Sequence, residues 1–326
     1  MGEPGTGAIR QVLAVDIGGT SSRFGHFTVD ADGCLGLVST VWLPTRQAGS
    51  FEALLAQLPG AGFCLDLREA DAAVFAVPGA VVGRRVHFAN IGWTLDLDRL
   101  AEVFGLSRSA CVNDFLAQAH GCLLLGEAAE PVLPGAMDAG LVRAVVGAGT
   151  GLGHAALVPL AGGGVLALPS EAGQAAFSFT GAEETAYGDY LCRQTGEGYA
   201  RADSVVSGSG LVHLHRFLTG EERAAADIGA GLTPDSPTTA LFARFYGRAV
   251  RQYVLGLVAA GGVYVSGGVA AKNPLVVSHP EFAREFYDSP TYGHLLRTVA
   301  VRLVRDERAG LFGAARLARD LLTEHS

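Results

Sequence analysis

The sequence predicts an α/β protein made of two halves of similar topology, and three observations carry that expectation. Each half opens on three strand-like runs separated by turns, glycine-rich in most cases. Helix and strand patterns then alternate, first from Phe51 and again from Glu183. Of the 326 residues 49% are apolar and 17% charged, enough to fill two cores. Such an order, given twice, describes helices laid on sheets in two copies, although the letters of the halves do not match as a repeat. A cleft between two such halves is the expected ligand site.

The first half begins with the strands Val12–Ile17, Arg23–Val29 and Leu35–Leu43, the last two joined through a turn at Asp30–Gly33. Phe51, Leu54, Leu55 and Leu58 share one helical face, and the apolar run Ala72–Val77 is a buried strand. Leu95–Phe104 reads as an amphipathic helix with Asp96 and Asp98 in its first turn, where the macrodipole favours them. A strand at Ala110–Val112 and a helix from about Phe115 to Leu125 follow. In the second half the opening strands are Ala144–Gly147, His154–Leu160 and Val165–Leu168. Helices are expected at Glu183–Thr195, Leu211–Leu218 and Thr238–Ala260, strands at Val263–Ser266 and Val299–Val304, and a closing helix at Leu311–Leu322.

A net charge of −8 argues against a nucleic-acid surface, which needs a basic stripe. The arginines near the end, Arg297 to Arg319, are interspersed with acids and read as a solvated helix face. Cys34, Cys64, Cys111, Cys122 and Cys192 share no metal-type spacing, so free thiols in a reducing compartment are expected. The start, MGEPGTGAIRQ, has no signal-peptide pattern, and no apolar run reaches the roughly 20 residues of a membrane helix. The expectation is a soluble cytoplasmic protein that engages neither membrane nor nucleic acid.

The most telling segment is VLAVDIGGTSSR, Val12 to Arg23. An apolar strand delivers Asp16 to a turn of Gly18, Gly19 and Thr20, where backbone N–H groups stand free for a phosphate with its magnesium ion. A purely structural turn gives the same letters. A second glycine loop, Gly147 to Gly153 with Thr150 at its centre, lies between two strands. It is either a second phosphate cradle or a glycine-rich hairpin. It lacks the lysine of a Walker loop, and a strand follows it where a Rossmann loop has a helix. The turn Ser266-Gly267-Gly268 could meet a nucleoside or simply join strand to helix.

Asp114 starts a helix after the strand SACVN, where an N-cap is the ordinary role of Asp and a catalytic carboxylate is the alternative that nearby amides favour. Asn90 and Asn113 with Asp114 offer two amides and a carboxylate, a set that fits sugar hydroxyls if all three reach one cleft, whereas Glu171, Gln174 and Asp203 farther along each alone suit a turn or surface. The histidines lack ligand spacing, and no nucleophile elbow is present.

Together these segments resemble the bacterial glucokinase family of sugar kinases. VDIGGTSSR and VGAGTGLG are similar to its phosphate segments, FANIGW and VNDFLA to its sugar-contact and base segments. SGSGLVHLHR resembles the segment ahead of a helix, and GGVYVSGGV the adenosine-side loop. The six occur in family order from Val12 to the closing helix. The resemblance implies a two-lobed RNase H-like fold of the actin-like ATPase and hexokinase type, with a cleft between a smaller domain (1–115 plus 309–326) and a larger one (116–308). It implies ATP and Mg²⁺, a hexose such as glucose, and a homodimer.

By that resemblance Asp114 is the general base, and Asp16 helps hold Mg²⁺, directly or through water. Gly18, Gly19, Thr20 and Arg23, with Gly147, Gly149, Thr150 and Gly151, hold the phosphates, and Gly267 and Gly268 lie on the adenosine side. Asn90, Asn113, Asp114, Glu171, Gln174 and Asp203 meet the sugar. Two positions depart from the pattern. Where the family commonly reads EGGH this chain has Glu171-Ala172-Gly173-Gln174, and Asp203 stands where a Glu is usual. Both fall on the side that reads the hydroxyls near C1 and C2. Another hexose, an amino sugar, or a sensor with reduced catalysis are therefore the alternatives to glucose phosphorylation. The zinc-binding cysteine cluster of the related ROK kinases has no counterpart here, and a ROK-type repressor is not expected.

Overall fold

The computed structural model describes residues 9–79, 81–88 and 92–323. The chain divides into two units, Met1–Leu124 with Arg308–Ser326, and Leu125–Glu307. Strands of the first unit are β1 (Arg10–Ile17), β2 (Ser21–Val29), β3 (Leu35–Pro44), β4 (Ala72–Val77), the short pair β5 (Arg85–His87) and β6 (Thr94–Asp96), and β7 (Ser109–Asn113). Five of them form one sheet in the order β3-β2-β1-β4-β7, with β1, β4 and β7 mutually parallel.

Side chains along β1 alternate between two cores, as a strand buried on both faces requires. Leu13, Val15 and Ile17 pack with Phe51, Leu54 and Phe75, whereas Val12 and Ala14 pack with Leu311, Ala314 and Ala318 of the closing helix Ala309–Thr323. By that alternation Asp16 lies on the closing-helix face. The helix Asp114–Leu125 meets the closing helix at two glycines. A Cβ on Gly313 would overlap the carbonyl of Ala117, and one on Gly121 the carbonyl of Ala309. Backbone therefore lies directly on backbone, which fixes the helix that carries Asp114.

The second unit repeats the plan. Its strands are β8 (Glu130–Leu133), β9 (Arg143–Ala148), β10 (Leu152–Pro159), β11 (Val165–Ser170), β12 (Val263–Ser266) and β13 (Val301–Leu303), in the order β11-β10-β9-β12-β13-β8. An antiparallel meander joined to two parallel strands thus occurs in both units, as the strand order of the sequence predicts; β8 is an added edge strand. The core beneath is aromatic, with Tyr187, Phe242, Phe245, Tyr246 and Phe282 buried around the helix Pro237–Leu257.

Several element bounds differ from the sequence reading; the helix opening at Phe51, for one, ends at Leu55, so Leu58 lies beyond it. Leu95 and Asp96 belong to β6, because Leu95 pairs with Val86 and Asp96 caps the shorter helix Leu97–Phe104 through the N–H groups of Asp98 and Arg99. The long helix ends at Leu257 instead of Ala260, since Val258 turns left-handed at φ 50°. The strand expected at Val299–Val304 contracts to β13. No helix among the described residues is long and apolar enough to cross a membrane.

Candidate functional site

In the first unit, the parallel strands bring their carboxyl ends into line. Asp16 on β1 pairs in register with Ala76 on β4, and Val77 on β4 with Asn113 on β7. Asp16 and the start of the Asp114 helix thus occupy one edge of the sheet. Asn113, not Asp114, caps that helix: its Oδ1 accepts from the N–H groups of Phe115 (2.9 Å) and Leu116 (3.1 Å), while its amide donates to the Gly79 carbonyl. Asp114 is the first helical residue, half-buried, with Oδ1 accepting from the Phe115 N–H at 2.9 Å. The capping alternative therefore passes to its neighbour, and the carboxylate sits at the helix's positive end.

Arg23 faces Asp16 across the β1–β2 hairpin, and its Nη1 donates to Asp16 Oδ2 at 2.7 Å. The hairpin turn is held from one side. Thr45 Oγ1 donates to the Gly18 carbonyl (2.7 Å), the Thr45 N–H to the Thr20 carbonyl, and Arg46 Nε to the Gly19 carbonyl. Among the described residues the N–H groups of Gly19 and Thr20 have no partner. A Cβ on Gly18 would approach the Ser21 carbonyl at 2.6 Å, so packing demands that glycine. Gly19 is different: an added Cβ meets nothing within 4 Å. Glycine there leaves bare backbone donors on an open face, as an anion requires. Asn90 lies outside the described residues.

In the second unit β9 and β10 form the corresponding hairpin, with Gly147 paired to Gly153 and Ala148 to Leu152. The glycine loop of the sequence reading is thus the turn of a hairpin. Again one glycine is open and another is packed. Gly149 has free space, whereas a Cβ on Gly151 would overlap the carboxylate of Asp203. Asp203 Oδ1 accepts from the Leu152 N–H at 2.7 Å, and a Cβ on Gly173 would overlap the Leu152 carbonyl. The Gly208 N–H donates to the Gly149 carbonyl at 2.8 Å. The glycine hairpin, the Glu171–Gln174 segment and Asp203 therefore form one packed cluster. Gly267, at φ 87°, joins it: a Cβ there would lie 2.5 Å from the Ala148 carbonyl. Gly268 opens the short helix Gly268–Lys272, and the Glu171 side chain is exposed.

Sequence reasoning missed the side chains that hold these segments. Tyr246 Oη accepts from the Ala148 N–H (3.1 Å) and donates to the Ser266 carbonyl (3.5 Å), tying the second glycine loop to the third. Burial pushes that phenol up, so it stays a neutral donor. Gln118, one turn beyond Asp114, lies near Asp16 beside Gly310. Arg201 Nη1 donates to Gln174 Oε1 at 2.6 Å and stands 3.8 Å from Asp203 Oδ2. Its hydrogen bonds with Glu197 raise the guanidinium further and hold the Glu197 carboxyl below its usual range. Only the burial of Tyr246 in a helical apolar stripe and the position of Arg201 two residues before Asp203 were visible signals.

A family profile described as Glucokinase matches residues 13–321. The chain belongs to the glucokinase family. Within it, the glucokinase of Xanthomonas euvesicatoria pv. vesicatoria is 30% identical over 98% of both chains. Among solved structures, a Balamuthia mandrillaris glucokinase in complex with glucose superposes with a TM-score of 0.78 at 21% identity, covering 96% of this chain and 94% of that one. A ROK family glucokinase from Streptomyces griseus in complex with glucose and AMPPNP gives 0.68 at 22% identity, covering 95% and 99%. The fold is thus the actin-like ATPase fold of the sugar kinases, which accounts for the repeated sheet plan of a glucokinase-family chain.

Proposed function

We propose that the chain transfers the γ-phosphoryl group of ATP to the 6-hydroxyl of glucose. Its membership of the glucokinase family supports the reaction. The observation that carries the site is the duplicated hairpin: Gly18–Thr20 and Gly149–Gly151 stand at equivalent sheet positions, each with an open glycine. Phosphoryl transfer needs positioning and charge neutralisation more than covalent help. Backbone N–H groups of the two hairpins, Thr150 and Arg23 would hold the phosphates, and the Gly267-Gly268 turn the nucleoside. Asp114 would accept the proton of the sugar hydroxyl as its oxygen attacks phosphorus. Asn90, Asn113, Glu171, Gln174 and Asp203 would read the remaining hydroxyls.

Among the described residues no group of three or more His, Cys, Asp or Glu could cage a metal ion. Magnesium needs no such cage when it arrives on ATP, because one or two carboxylates with phosphate oxygens and waters suffice. Asp16, buried at the end of β1 with Oδ2 fixed by Arg23, fits that single-ligand role through water. When bound, the ion would neutralise phosphate charge. The pairing of two copies that the resemblance implies is read by sedimentation.

The test is ADP release coupled to a hexose panel with ATP. The reading expects glucose to be phosphorylated at C6 with the highest kcat/KM. Turnover on glucose no better than on other hexoses or amino sugars would sink glucose as the substrate, and binding without turnover would favour the sensor.

A further inference from the structure

We propose that Arg201 is a positioning residue that decides which end of the Gln174 amide meets the substrate. This rests on the reading of Gln174 as a sugar contact. A guanidinium only donates hydrogen bonds and stays charged at every working pH. The amide oxygen of Gln174 must therefore turn toward it, and Oε1 lies 2.6 Å from Nη1. That orientation leaves Nε2 as the outward group, and among the described residues Nε2 has no partner. Position 174 then presents a donor to an acceptor oxygen on the ligand. An imidazole at this place would offer donor or acceptor according to its tautomer.

Glu197 holds the fork from the other side. Arg201 Nε and Nη2 donate to the two oxygens of Glu197 at 3.0 and 2.5 Å, a planar bidentate pair that lysine cannot reproduce. Backbone bonds hold the two segments together, from the Ala202 N–H to the Ala175 carbonyl (3.0 Å) and from the Phe177 N–H to the Ala200 carbonyl (2.8 Å). Arg201 thus meets Gln174 on one side and approaches Asp203 on the other, the two positions at which this chain departs from the family pattern. Without the guanidinium, the half-turned amide is free to present either end, and that freedom must be lost on binding.

The experiment is a double-mutant cycle of Arg201→Met and Gln174→Ala, with glucose varied at saturating ATP and ATP varied at saturating glucose. Arg201→Met is expected to raise the glucose KM about tenfold while the ATP KM stays within about twofold. In the Gln174→Ala background the same substitution should add almost nothing, because no amide remains to orient. Arg201→Lys, which keeps the charge beside Glu197 but loses the fork, should fall between and carries the test if the neutral variant does not fold. An unchanged glucose KM in Arg201→Met, or an undiminished effect in the Gln174→Ala background, overturns the proposal. Absence of hexose phosphorylation in the parent protein overturns the kinase reading, and this inference with it.

Discussion

Asp16 and Arg23 face each other across the first hairpin, joined by a 2.7 Å hydrogen bond from Nη1 to Oδ2, with the guanidinium 4.5 Å from the Trp42 ring. The arginine fixes one oxygen of the carboxylate and adds positive charge beside the open Gly19 turn. Replacing Arg23 with Met keeps the stem over Trp42 and removes the charge-assisted bond. Such bonds contribute roughly 1.5–3 kcal/mol, so kcat/KM for ATP should fall at least about tenfold. Steady-state kinetics with ATP varied measures it; unchanged ATP kinetics would remove Arg23 from the phosphate site.

Gly313 sets propensity against packing. In an exposed helix Gly→Ala stabilises by about 1 kcal/mol. Here the new methyl would overlap the Ala117 carbonyl on the helix that begins at Asp114. Overpacking wins, and Gly313→Ala should lose about 3 kcal/mol in urea unfolding. A stabilised variant would show that the two helices are not in backbone contact.

Val258 ends the long helix at φ 50°, a left-handed conformation that costs a β-branched residue roughly 1–2 kcal/mol. Its side chain is exposed, so little packing is lost on replacement. Val258→Gly should therefore raise stability by about 1 kcal/mol in the same assay. A loss of stability would mean the side chain holds the turn.

His154 on β10 is buried against Tyr253. Burial pushes it down to about 4 from an ordinary 6.5, a backbone bond at Leu152 offsetting only part. The unfolded chain then binds the proton more readily between those values. Stability is complete above about pH 6.5 and is lost as the pH falls toward about 4. His154→Phe keeps an aromatic ring and should lose roughly 2 kcal/mol less than the parent between pH 7 and pH 5. Urea titrations at both pH values test this, and parallel losses would contradict it. His120, also pushed down to about 4, chiefly by burial, leaves a residual slope in either protein.

What the sequence showed depended on how local the cause was. Strand order, the two glycine hairpins and the helix at Asp114 follow from periodicity and turn chemistry within a few residues, and they were legible. Asn113 as the cap was not, because adjacent Asn and Asp compete for one position and only the geometry chooses between them. The contacts of Gly121 and Gly313 join segments far apart in sequence, so no window contains their cause. Arg201 escaped for the same reason. Its partner Gln174 lies in a different segment, and a lone arginine between alanines reads as surface. The short strands β5 and β8 lack the length to signal themselves.

Asp114 is the proposed acceptor of the sugar hydroxyl's proton. Asp114→Asn preserves shape and leaves the Asn113 cap in place, but removes the base. Measured together, turnover by coupled ADP release should fall about 10²–10⁴-fold while glucose affinity by titration calorimetry stays within a few-fold. Turnover equal to that of the parent protein would exclude Asp114 as the base.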